Sequence, residues 1–72
     1  MDRQEFVKKC EEKKRAGGTV LVCRINMSDI FFDKYRARAN SSIGFLYVNS
    51  NLIAIVDYRD VTEIWSTSDF KD

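Results

Sequence analysis

Apolar residues at helical spacing begin the chain. Over residues 2–16, Phe6, Val7, Cys10 and Ala16 form a narrow stripe in a background of Lys, Arg, Glu and Gln. That pattern predicts a helix lying on a body rather than buried within one. Asp2, with Glu5 three residues on, has the spacing of an N-terminal cap. "KKRA" suits the negative end of the helix dipole, and Gly17-Gly18 provides the stop. Glu5–Lys9, Lys8–Glu12 and Glu11–Arg15 are opposite charges one turn apart.

From residue 19 the period shortens to two. "TVLVCRIN", residues 19–26, sets Leu21, Cys23 and Ile25 against Val20 and Val22, apolar on both faces, as in a central strand. Residues 30–39, "IFFDKYRARA", admit two readings. In a strand, Lys34, Arg36 and Arg38 share one face with Ile30 and Phe32, and Tyr35, Ala37 and Ala39 share the other with Phe31 and Asp33. In a helix capped by Ser28, Phe31, Tyr35 and Ala39 line up. The strand is preferred, because Phe and Tyr are strand-prone and the charges alternate strictly. Residues 43–49 set Ile43, Phe45 and Tyr47 against Leu46 and Val48; turn residues around Asn49 lead into a return strand over 52–58. This hairpin is the most strongly specified pairing. A short strand near 61–65 follows, with Asp60 and Glu63 also fitting a helix cap, and the polar tail 66–72 is expected to fray unless Phe70 packs back.

The expected fold is α+β: an N-terminal helix, then a strongly bent antiparallel sheet or small barrel of four to five short strands, in a single domain spanning 1–72. The order of elements is similar to that of Sm-like and SH3-like barrels. The likeness is of architecture alone, since residues 30–39 lack the glycine of the bent second strand of the Sm family, and no family is assigned.

Composition adds constraints. With 44% apolar residues the chain can build a core, but a core in 72 residues is small and is often supported by a disulfide, a metal or a partner. The two cysteines, Cys10 and Cys23, sit among apolar neighbours and read as small buried hydrophobes rather than a disulfide. No histidine is present, so the commonest general base and metal ligand is missing, and a cysteine nucleophile would lack its imidazole. Asp57, Asp60 and Glu63 crowd one turn and could hold a divalent cation, but they read more simply as a solvated turn. No enzyme activity, metal or cofactor is expected. With no leader-like segment and no long apolar run, a cytoplasmic protein without a membrane role is expected.

The net charge of +1 hides an asymmetry. Residues 1–39 hold ten Lys or Arg against six Asp or Glu, and residues 40–72 hold two against five. Lys34, Arg36 and Arg38, joined by Arg24, are the candidate site for an anion or an acidic partner; the other reading is a charged guard on an edge strand. For nucleic acid the pattern offers one ring only on the cationic face, Phe32, because Tyr35 falls on the opposite strand face, and the pI of 7.7 is modest. The strands also carry more apolar face than one small helix can cover, which predicts an interface at Leu46, Val48, Ile53, Ile55 and Trp65. The function expected is therefore a small self-associating binding module with a protein partner. Its size suits an accessory or inhibitor protein of the kind phages and mobile elements use against host proteins. The alternatives are an oligomeric small barrel that binds a nucleotide or RNA through its basic strand, and a subunit of a structural assembly.

Overall fold

The computed structural model describes residues 1–70. Helix α1 runs Arg3–Ala16. It begins where Asp2 Oδ1 accepts the Glu5 backbone N–H at 2.8 Å, so one donor that the first turn leaves open is satisfied. It ends at Gly17, whose φ of +85° is open to glycine at little cost. Only Phe6 and Cys10 are fully buried on it, and the terminal ammonium of Met1 pins its start by donating to the Tyr58 and Val61 carbonyls. The charges along the helix pair differently from their spacing. Lys9 meets Glu12, Lys13 reaches Asp69 at 2.9 Å, and Glu11 accepts the Tyr35 hydroxyl, because contacts to the body compete with the weak pairs along the helix.

Six strands follow: β1 Val20–Arg24, β2 Ile30–Phe32, β3 Lys34–Ala37, β4 Ile43–Val48, β5 Asn51–Asp57 and β6 Val61–Ser66. They form two three-stranded antiparallel sheets, ordered β2-β1-β6 and β3-β4-β5, so the fold is α+β. Residues 30–37 are extended, not helical, and are divided at Asp33. The Asp33 N–H donates to the Tyr47 carbonyl at 3.0 Å, and its carboxylate accepts the Asn49 N–H at 3.0 Å, so one residue ties the strand break to the β4–β5 hairpin. That hairpin turns on Asn49 and Ser50, both at positive φ, the conformation whose twist matches antiparallel strands.

One buried cluster joins the helix and both sheets: Phe6 and Cys10 meet Val20, Val22 and Phe32 from one side and Leu46, Val56 and Tyr58 from the other. The Tyr58 ring packs edge-on against Phe6, with centroids 4.9 Å apart. It also lies so close to Gly44 that a Cβ there would sit 2.9 Å from Tyr58 Cε1. The segment expected to fray is instead structured through Phe70: Thr67–Phe70 form a 3₁₀ turn. Asp69 holds this turn by accepting from the Ser66 N–H and from Lys13, and Phe70 stacks on Trp65. Residues 71 and 72 of the expected tail lie outside the described residues.

Candidate cationic and aromatic face

Tyr35 decides which way β3 faces. Its ring lies 5.9 Å from Phe6 and 6.4 Å from Phe32, Lys14 sits over it, and its hydroxyl donates to Glu11. Burial, followed by that bond to Glu11, pushes the Tyr35 pKa up to about 12. With Tyr35 held inward, the two-residue period turns Lys34 and Arg36 outward, and both are exposed.

The register then supplies what β3 lacks. Lys34 pairs with Tyr47 and Arg36 with Phe45, and cross-strand partners share a face. Cations and aromatic rings therefore stand side by side on the outer face of β3 and β4. Two shallow clefts flank Arg36. One, of about 430 Å³, is lined by Lys34, Arg36, Tyr47 and Ser50 among others. The other is lined by Arg36, Arg38, Phe45 and Tyr47. Arg38 lies one residue past the end of β3 and joins the face there. Its carbonyl, with that of Ala37, accepts from the Arg3 guanidinium, which fixes the strand end to the helix. Among the described residues, no carboxylate pairs with Lys34, Arg36 or Arg38.

Arg24 does not belong to this face. Val20 pairs with Phe32 and Val22 with Ile30, so Arg24 lies at the hairpin end of β1, away from Lys34. There its guanidinium donates to the Ser28 carbonyl. Antiparallel pairing carries the two ends of neighbouring strands apart, which a charge count along the chain does not register.

The expected interface divides in the same manner. Leu46 is fully buried in the core and offers no surface. Val48 is half-buried on the same side of β4. Trp65 is covered within its own chain by Phe70, with Lys13 over its ring. Ile53 and Ile55 are exposed, and Leu52 joins them. A bulge explains the run: Leu46 pairs with Ala54 and Tyr47 with Leu52, leaving Ile53 as an extra residue.

Elsewhere the reactive groups are engaged or suppressed. Burial pushes the Cys10 thiol up to about 12, and burial with Asp29 nearby also raises that of Cys23. Asp57 accepts from the Arg59 guanidinium and backbone, which lower its pKa to about 2. Among the described residues, no three acidic or cysteine side chains converge as a metal site requires, and no helix is long and apolar enough to cross a membrane. The residues that sequence reasoning missed are Phe45, Tyr47 and Leu52. The signal for the rings was present, since Phe45 and Tyr47 share parity within β4, but their neighbour across the ladder depends on register. No family model matches the chain, and no curated protein or solved structure matches it.

Proposed function

We propose that the chain is a non-enzymatic binding module that self-associates through the edge of β5. The observation that carries this reading is the composition of that edge. β5 has β4 on one side only, and Leu52, Ile53 and Ile55 are 51%, 46% and 52% exposed. It carries no charge before Asp57 and no proline, so only the bulge at Ile53 resists pairing with another strand, and Ala54–Val56 beyond the bulge are left open. Pairing with a second copy would cover these side chains and satisfy the open backbone groups together. A non-catalytic role is supported by the absence of histidine and by two thiols whose pKa values are raised away from the thiolate form.

We further propose that β2 and β3 act as one strand bent at Asp33, so that the two sheets behave as a single strongly bent sheet. Support comes from the one-residue gap and from the Asp33 N–H, which donates to the β4 carbonyl of Tyr47.

Light scattering on the order of tens of micromolar tests the association. A discrete dimer or small oligomer is expected, with Ile55→Lys returning it to a folded monomer. A wild-type monomer at that concentration overturns the proposal.

A further inference from the structure

We infer that the outer face of β3 and β4 is a site for single-stranded nucleic acid, with phosphates on Lys34, Arg36 and Arg38 and bases stacked on Phe45 and Tyr47. The inference rests on the reading of the chain as a binding module but not on its self-association, because every residue of the site comes from one chain.

Three observations converge. The cations are exposed and without a carboxylate partner among the described residues, so an incoming anion displaces no existing ion pair. Alternate strand residues repeat at about 6.6 Å, of the order of the through-space separation of neighbouring phosphates on one strand, so Lys34 and Arg36 can meet successive phosphates, with Arg38 just beyond the strand end. The half-buried rings of Phe45 and Tyr47 are opposite Arg36 and Lys34 on the neighbouring strand, and both clefts beside Arg36 have Tyr47 in their wall. A cationic track beside aromatic platforms is the arrangement that binds single strands without reading their sequence.

The rings also choose between occupants. An acidic segment without apolar side chains would engage the cations and leave Phe45 and Tyr47 uncovered. A guard on the β3 edge needs charge but no rings. Bases have π-faces that use both kinds of group, and stacking of this kind tolerates any base.

Fluorescence anisotropy with labelled oligo(U) and oligo(dT) of about ten nucleotides tests the site. Both are expected to bind. Contact with three phosphates gives a slope of about −2 in log K against log salt, so binding weakens about 20-fold between about 50 and 200 mM salt. Arg36→Glu should weaken binding more than tenfold at the lower salt. Tyr47→Leu and Phe45→Leu keep apolar bulk but remove the ring, and each should weaken it about fivefold or more, since base stacking carries that weight. Melting curves establish that each variant is folded. Light scattering on the same samples reads association separately from binding. Ile55→Lys does not serve here, because Ile55 pairs with Phe45 and a lysine there would add a cation to the face itself. The inference is overturned if neither oligonucleotide binds at about 100 μM protein and low salt, where even non-specific contacts register. It is equally overturned if folded Tyr47→Leu and Phe45→Leu bind like wild type, or if polyglutamate competes as well as oligo(U), which would assign the face to an acidic protein.

Discussion

β3 and β5 flank the same strand, and their edges are opposites. β3 presents Lys34 and Arg36, with Arg38 just beyond, while β5 presents Leu52, Ile53 and Ile55. Both edges leave backbone groups open to another strand, but a row of cations repels an incoming copy and an apolar row welcomes it. The contrast teaches that one small sheet can differ sharply in character between its edges. On the proposed reading, the charged edge is left to a ligand and the apolar edge to a second copy. The shared neighbour β4 serves both, giving Phe45 and Tyr47 to the outer face and Leu46 to the core.

The most severe way to break the comparison is through β4. Leu46→Lys places an unpaired charge at a fully buried position and should exceed the roughly 3–5 kcal/mol that a core of this size supplies, so circular dichroism should show an unfolded chain. Ile55→Lys, by contrast, should stay folded; a cooperative melt in Leu46→Lys would mean that the assignment of core and surface in β4 and β5 is reversed. Gly44→Ala, also in β4, drives a Cβ toward the Tyr58 ring and should cost about 1–3 kcal/mol in denaturant unfolding. No loss there would show that Tyr58 moves aside.

Exchange of the edges sharpens the contrast. The double variant Lys34→Ile, Arg36→Val makes β3 resemble β5, and size-exclusion chromatography should show larger, heterogeneous species. Elution like wild type would mean that charge is not what keeps β3 open. Asp2→Ala serves as a control remote from both edges. It should lower stability by about 0.5–2 kcal/mol through loss of the helix cap, with the solution mass unchanged at concentrations where the chain stays folded.

The smallest effect is expected from pH at the end of β5. Arg59 lowers the Asp57 pKa to about 2, from an ordinary 3.8. The unfolded chain therefore takes up this proton first as pH falls. The contribution of Asp57 is fully present above the ordinary value and is lost as pH drops through about 2. The difference in melting temperature between wild type and Asp57→Asn should be flat from neutral pH down to about 5 and shrink below about 4. A difference that shrinks near neutral pH would contradict the assignment to this carboxylate.

What the sequence by itself determined are the local decisions. The helix and its cap follow from Asp2, Glu5 and the paired glycines, and the β4–β5 turn follows from Asn49, whose side chain tolerates positive φ. The alternation of Lys34 and Arg36 with Tyr35 is legible in the sequence, but their outward stance is not: Phe32, expected on their face, is buried, and the break at Asp33 turns Lys34 and Arg36 to the opposite side. The tertiary structure decided what lies beside what. Phe45 and Tyr47 join the cations only because β3 and β4 pair in that register, Arg24 leaves them because β1 runs the other way, and Leu46 is core because the helix and both sheets close over it. Bent or broken ladders are equally hard to read from period alone: Asp33 divides an unbroken alternation, and the extra Ile53 exposes two neighbours at once. Turn and cap preferences act over a few residues and are carried by individual side chains. Register and burial are set by packing between distant segments, where the free energy belongs to the pair and to neither sequence alone.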